Sequence, residues 1–597
     1  MHYRLSLNAI EIRQLPTTFS TLRSPSTFAI SRPRLTEQVV ELLLDVLLKV
    51  DSSVFQLIEG RSKTLPYGLH SARKPRHRNL LKALSSTIYV SMRIDQLCAI
   101  WQNRYMQDRG LQGAFHPKSI AIVGVKRSEG KSPPGYTGQK FVNLLREGSF
   151  EGRIYPINPK ADTIAGLKAY PSVSAVPEHV DYVIVTVPAA AVPGVLEDCA
   201  AAGALDVNVC SSGFGETGEE DGKTLENIVR EIAFREGLRV VGPNCLGYQV
   251  SSSRMKVFPE AEMVPGPVAF VSQSGGHCQM YTRQGASQGI TFSKVISYGN
   301  ALTMDSTDYL EYLATDPETG IICMYIEDVR NGRKFKDLVT QLGPRKPMVI
   351  WKAGLTPLGA RAAVTHTGSM AGDKQIWDAF FEQTGAIRVD SIDEMADITM
   401  TLLQLKPPPG GRVAVWGAGG GNTVAAADVC AQEGLQVPAL SDEVTNRLME
   451  FITLVNQSVN NPLDAGSAFR DTATLRRSLE TVAADPNIDI ILLHLQAWFY
   501  RLWGPEILAG LRQCLLDFNR ESPSGKEAVV AIRDEGDLCD TEEFVRYLRQ
   551  GGVSVYSSLA RACRALSRFA RYHGFISQTA ASTSRDHVRI NFSAIKR

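Results

Sequence analysis

From residue 115 onward, short β-branched runs alternate with longer stretches of helical period. SIAIVGV, RIYPINP, YVIVTVP, DVNVCSS and LRVVGPN, between residues 119 and 244, read as five strands, each followed by a helix or turn. A second series follows in PVAFVSQSG, FSKVISYGN, IICMYIED, KPMVIWKAG and AIRVDS, and a third in RVAVWGAGGG, IDIILLHL, AVVAIRDEG and VSVYSS. Apolar strands alternating with helices belong to parallel sheets covered on both faces. The pattern predicts an α/β protein of three successive doubly wound domains, at 111–255, 262–405 and 410–575, with KPPPGG (406–411) linking the last two.

Residues 1–110 break this rhythm. They carry 16 Lys and Arg against 8 Asp and Glu, in basic, proline-containing stretches with at most two short helical patterns. Arg-rich, acid-poor residues 1–36 fit an organelle transit peptide, or an extension before a domain starting near Met106. The reading adopted is an extension without catalytic role. Residues 576–597 read as a polar tail. A net charge of +2 gives no general attraction to nucleic acid or anionic membrane. Ten cysteines without a C-x-x-C pair argue for a reducing compartment and against a disulfide framework or structural zinc. VVELLLDVLLKV is interrupted by Glu41, Asp45 and Lys49, so it does not span a membrane. The expectation is a cytoplasmic protein with no nucleic-acid partner, no membrane partner and no metal ligands of its own.

Ligands of open parallel sheets sit at the carboxyl ends of strands. The first strand ends at Gly124, and GYTGQKF (135–141) opens the next helix, with Thr137 and Gly138 at its start. Glycines let backbone approach a phosphate, and a helix N-terminus offers N–H groups and positive dipole. Tight packing would explain such a turn equally well. The second strand ends in Asn158, Pro159 and Lys160, where a dinucleotide enzyme places an acidic residue on the ribose diol. Lys160 suits a phosphate instead. That argues against an NAD-dependent oxidoreductase and for a nucleotide with extra phosphate, such as coenzyme A. Val187 and Pro188 of VPAAA, and Asn244 of GPNCLG, supply small surfaces for a pantetheine arm.

FVSQSGGHCQM (270–280) sets Ser272, Ser274 and Gly275 at a strand-to-helix turn, where hydroxyls and N–H groups converge on an anion. It is not a hydrolase nucleophile elbow, because Phe270 and Ser272 stand where that motif needs glycine. A plain helix cap would account for one serine but not for the glycine pair as well. His277 reads as a helix residue. Glu327 ends a strand among apolar neighbours, and VTHTGSMAG (364–372) places His366 among hydroxyls and glycines. Lys352 and Arg361 are candidate phosphate contacts or solvated charges.

Taken in order, Gly-Tyr-Thr-Gly, Asn-Pro-Lys, Val-Pro-Ala and Gly-Pro-Asn-Cys resemble the CoA-binding domain of the succinyl-CoA synthetase α subunit. The likeness is closer still to the ADP-forming acetyl-CoA synthetases, over roughly residues 106–575. That resemblance implies a Rossmann-like CoA-binding domain followed by two flavodoxin-like domains. It makes His366 the phosphohistidine and Glu327 its hydrogen-bond partner. A carboxylate on one imidazole N–H fixes the tautomer that leaves the other nitrogen nucleophilic. The implied chemistry runs from acyl-CoA and phosphate to acyl phosphate and CoA, then to phosphorylated His366, then to ADP. Thr365 departs from the serine usual in the family but keeps a hydroxyl. In the third domain, WGAGGGNTVAAAD (416–428) resembles a phosphate-binding turn but is read as an interface or tight-turn feature rather than a second nucleotide site, with Asn461 and Asp464 ordering the loop.

Nothing in the sequence resembles an ATP-grasp domain. The resemblance therefore implies that ADP or ATP and Mg²⁺ bind on a separate ATP-grasp β-type subunit, within a hetero-oligomer. The small carboxylic acid is expected where the first two domains join, near Cys245 and Tyr298-Gly299-Asn300. The alternative is a non-catalytic CoA- or acyl-CoA-binding regulatory module.

Overall fold

The computed structural model describes residues 111–126, 135–361, 372–417, 419–453, 455, 457–496, 504–522, 524–533 and 538–585. The basic extension, His366 with its immediate neighbours, and the last residues of the polar tail lie outside these.

β1 (Ser119–Val123) and β2 (Arg153–Ile157) are followed by a small antiparallel hairpin of β3 (Thr163–Ile164) and β4 (Leu167–Lys168). β5 (Tyr182–Val185), β6 (Asp206–Val209) and β7 (Arg239–Val241) complete a parallel sheet in the order β2-β1-β5-β6-β7. The second sheet comprises β8 (Gly247–Val250), β9 (Val268–Ser272), β10 (Phe292–Ser297), β11 (Ile321–Ile326), β12 (Met348–Lys352) and β13 (Ile387–Arg388). Its order is β13-β12-β11-β9-β10-β8. The third holds β14 (Val413–Gly417), β15 (Leu463–Asp464), β16 (Ile490–Gln496), β17 (Ala528–Arg533) and β18 (Val555–Tyr556), in the order β15-β14-β16-β17-β18. When the parallel strands of each sheet are counted along the chain, all three sheets show the order 2-1-3-4-5 of flavodoxin-like doubly wound folds. Each therefore has a switch point between its first and third strands: β1 and β5, β9 and β11, β14 and β16.

One strand crosses between the stretches read from sequence. β8 lies within 111–255 yet pairs antiparallel with β10, at the edge of the second sheet. The chain reaches it by turning at Gly242 (φ 96°) and Asn244 (φ 57°) directly after β7. Four residues behind a glycine-proline turn give no periodicity to announce a strand.

A single apolar core runs from one face of the first sheet (Ile120, Ile122, Ile184) through both faces of the second to the C-terminal helix Leu559–Arg585 (Ala562, Leu566, Phe569). The opposite faces of the outer sheets have their own cores: Val123, Val185 and Val209 in one, Trp416, Leu493 and Val530 in the other. The C-terminal helix extends into the stretch read as a polar tail. Phe575 packs on Gly385, where any side chain would collide with its ring, and Arg561 pairs with the buried Asp397 at 2.6 Å. A second interior ionic cluster centres on β10, whose fully buried Lys294 holds Asp316 and Glu318 at 2.7 Å each. No helix among the described residues is long and apolar enough to cross a membrane.

Candidate active site

At the switch point of the first sheet, the chain leaves β1 through Gly124 (φ 94°), where a Cβ would lie 3.0 Å from Thr186 Oγ1 and from Val187 Cγ1. Gly138, first residue of the next helix, is packed as tightly: its Cβ would meet Val125 Cα at 2.9 Å. Only glycine fits both places, and the helix N-terminus is thereby brought onto the strand ends. Thr137 caps that helix, its hydroxyl accepting from Lys140 N. Asn158 folds the end of β2 back onto the same turn. Its Nδ2 donates to Val125 O (2.7 Å) and its Oδ1 accepts from the N–H of Lys160 (2.7 Å). Lys160 is exposed at this rim. Val187 O accepts from the Ser211 hydroxyl, Pro188 starts the turn Ala189–Ala191, and Asn244 N–H donates to Ser211 O (2.9 Å). Gly124, Thr137, Gly138, Lys160, Val187, Pro188 and Asn244 thus share one carboxyl edge.

The second switch point holds the other predicted residues. Ser272 is the last residue of β9, and its hydroxyl is spent inside the turn: it donates to Ser274 O (2.8 Å) and accepts from Ser274 N (3.0 Å). Ser274 caps the helix Gly275–Ser287 by accepting from His277 N. Gly275 stands where a Cβ would lie 3.0 Å from the Leu246 side chain, so this turn abuts the loop after β7.

Across the crevice, Glu327 follows β11 and is 3 % exposed. Its placement depends on a residue the sequence reading missed. Gln273 Oε1 accepts from Glu327 N (2.5 Å) and Asp328 N (2.9 Å), lacing the ends of β9 and β11 together. Tyr325, two residues earlier on the same face of the strand, donates its hydroxyl to Glu327 Oε1 (3.1 Å). The ring of His277 stacks on Tyr325 at 4.1 Å. Lys352, at the end of β12, donates to Glu327 O (2.8 Å). Burial pulls its ammonium below the usual lysine range, against the opposing pull of Asp328 and Glu327.

His366 itself lies outside the described residues, but both flanks are placed. Arg361, the last described residue before it, is helical and exposed. On the other side, a Cβ on Gly372 would lie 3.8 Å from Lys352 Cε, against Trp377, which places Gly372 beside Lys352.

The two crevices face each other. The Tyr136 hydroxyl, in the Gly-Tyr-Thr-Gly turn, accepts from Gln279 Nε2 (2.5 Å) on the helix after Ser274. Burial raises the Tyr136 phenol to about 12 despite that bond, so it stays neutral. Leu246 N donates to the Ser297 hydroxyl (3.1 Å) and Asn300 N to Pro243 O (3.1 Å), closing the seam between the sheets. Cys245 is buried in that seam with its thiol on Asn208 Oδ1 (2.9 Å), and burial pushes it well above the usual thiol value. In the third sheet, Asp464 Oδ1 accepts from Gly419 N (2.7 Å), while Asn461 bonds Val413 O, Pro438 O and Val415 N. The glycine turn there is ordered by the chain's own side chains.

Comparison with known proteins bears on this arrangement. The family model described as a CoA binding domain matches residues 118–251, and that described as a succinyl-CoA ligase like flavodoxin domain matches residues 265–402. The chain is 36% identical over 466 residues to the ADP-forming acetate–CoA ligase I of Archaeoglobus fulgidus, covering 77% of this chain and 64% of that longer protein. It is 34% identical to subunit alpha of the corresponding Pyrococcus furiosus ligase, covering 76% of this chain and 96% of the subunit. Among solved structures, acetyl-coenzyme A synthetase 1 of Candidatus Korarchaeum cryptofilum, in complex with phosphate and ADP, superposes with a TM-score of 0.68 at 30% identity. That match covers 79% of this chain and 98% of the other. With a subunit alpha of this kind matched over nearly its whole length, and two facing crevices built from the expected motifs, the chain belongs to the family of ADP-forming acetate–CoA ligases and corresponds to their α subunit.

Proposed function

We propose that the chain is the α-type subunit of an NDP-forming acyl-CoA synthetase. It interconverts acyl-CoA, phosphate and ADP with carboxylic acid, CoA and ATP. The observation that carries this reading is the pairing of crevices: the Gly124–Gly138 edge opposes the Ser272–Glu327 switch point, joined through Tyr136 and Gln279. CoA lies on the first edge, with Lys160 at its phosphates and the Val187, Pro188 and Asn244 loops along its arm. Phosphate attacks the acyl carbonyl at the seam, breaking the thioester and releasing CoA as thiol. The acyl phosphate is held at the Ser274–Gly275 helix start, whose N–H groups and dipole favour its charge. His366 then attacks phosphorus and releases the carboxylate. Glu327, steadied by Gln273, Tyr325 and Lys352, takes the hydrogen bond of the other imidazole N–H and stabilises the cation that forms.

The last transfer, to ADP, needs a nucleotide and Mg²⁺, which neutralises phosphate charge during transfer. We assign both to an ATP-grasp partner subunit. The α-subunit name of the Pyrococcus relative supports a partner, and so does the greater length of the Archaeoglobus one. The ligase family favours catalysis over the regulatory alternative. The purified chain should bind CoA in calorimetry yet make no ATP from acyl-CoA, phosphate and ADP until a β-type subunit is added. ATP synthesis by the isolated chain, or no CoA binding, would refute the assignment.

A further inference from the structure

Asn300, in the turn after β10, backs onto the loop that ends the first sheet through its own N–H and that of Leu302, which donates to Gly242 O (2.8 Å). Its side-chain NH₂ is held by two carboxylates from the first sheet's side, Glu216 Oε2 at 2.6 Å and Glu226 Oε2 at 3.4 Å. Both acids are themselves anchored. Glu216 Oε1 accepts from Gly213 N (2.6 Å) and Phe214 N (3.2 Å). Glu226 accepts from Gly215 N (3.1 Å) and pairs with Arg230 (3.0 Å). A carboxylate offers acceptors only, so the reversed amide would set its oxygen against two negative oxygens. The orientation of Asn300 is therefore dictated. What it leaves is Oδ1, a buried acceptor without a hydrogen-bond partner among the described residues. A buried acceptor in this state is unfavourable until a donor reaches it.

The chemistry of the ligands narrows that donor. Phosphate, acyl phosphate and a carboxylate present chiefly acceptors to the protein. The pantetheine arm of CoA carries two amide N–H groups and a thiol. The Gly213–Glu216 turn also adjoins the arm's expected path, since a Cβ on Gly213 would lie 3.2 Å from Ala189 Cβ in the Val-Pro-Ala loop.

We propose that Glu216 and Glu226 orient Asn300 so that its Oδ1 accepts a hydrogen bond from the pantetheine arm of CoA. Asn300 is then a specificity-determining contact across the seam, and Glu216 is its positioning residue. This rests on the CoA reading above. The test is calorimetric titration of the full chain with CoA, alongside thermal melts. In Glu216→Gln, the new amide keeps its oxygen on Gly213 and Phe214 N–H and turns its NH₂ toward Asn300. Asn300 then reverses and offers a donor to the arm. The expected result is an affinity loss of about tenfold, or about 1.4 kcal/mol, with little change in melting. Affinity for adenosine 3′,5′-bisphosphate, which lacks the pantetheine arm, should be unchanged in the same variant. CoA affinity unchanged in Glu216→Gln, or an equal loss of affinity for the armless nucleotide, overturns the proposal. A wild-type chain that binds no CoA instead overturns the CoA reading on which it rests.

Discussion

Replacing Gln273 by methionine tests the link between the two central strands of the second sheet. The side chain is 5 % exposed, and its carbonyl oxygen is the acceptor for two main-chain N–H groups, those of Glu327 and Asp328. Methionine has similar length and no strong acceptor, so the substitution removes the hydrogen bonds while opening little cavity. Each buried donor left unmet costs about 1–3 kcal/mol, or about 2–6 kcal/mol for the pair. Even the lower figure should reduce the melting temperature of the second-sheet unit by about 4–8 °C. The catalytic effect should be larger in proportion. Glu327 is placed through its own N–H, and a shift of about 1 Å in a positioned group can cost about a hundredfold in rate. The assay is the initial rate of acid-labile label incorporation from radiolabelled acetyl phosphate, measured beside a thermal melt. Wild-type melting and wild-type labelling in Gln273→Met would show that Gln273 does not position Glu327.

Two other substitutions read separate parts of the structure. Gly124→Ala forces a side chain into a left-handed backbone (φ 94°) and to 3.0 Å from Thr186 Oγ1. It should cost about 1–3 kcal/mol and weaken CoA binding in calorimetry more than a seam substitution does. Lys294→Met removes the cation from a carboxylate whose side chain is 3 % exposed, at an expected cost of about 3–5 kcal/mol near neutral pH. Burial works to raise the Asp316 carboxyl, but Lys294 and Thr319 outweigh it and hold it below the usual value. In the wild type, this stabilisation is present above the unfolded carboxyl value of about 3.9 and is lost as pH falls through the depressed folded value. The variant has no cation, so protonation relieves the buried charge. The difference in urea midpoint between wild type and variant should shrink between pH 7 and pH 4; a constant difference contradicts the assignment.

Most strands were readable because they are apolar throughout and bounded by Gly, Asn, Pro or Lys. β3, β4, β8 and β15, of two to four residues each, carry no period of their own, whereas the equally short β13 and β18 are legible because they sit inside the β-branched runs AIRVDS and VSVYSS. The common 2-1-3-4-5 order belongs to pairing across the sheet and leaves no trace in linear pattern. The candidate site divides in the same way. Gly124, Gly138 and the Ser272–Gly275 turn are visible because a strand end followed by glycine and a helix start is a local signal. Gln273 lies between Ser272 and Ser274, but its role depends on Glu327, 54 residues away. Glu216 and Asn300 are 84 residues apart and meet only where two sheets face each other. Tyr325 leaves a more local trace, since it stands only two positions before Glu327 at the end of β11.

In the proposed relay, His366 carries a phosphoryl group under the guidance of Glu327. Incubating the purified chain with acetyl phosphate radiolabelled on phosphorus, and dividing the product between acid and alkali, tests this step. The label should be lost in acid, retained in alkali, absent in His366→Ala and strongly reduced in Glu327→Ala. Label that persists in His366→Ala, or a wild type that acquires none, would contradict it.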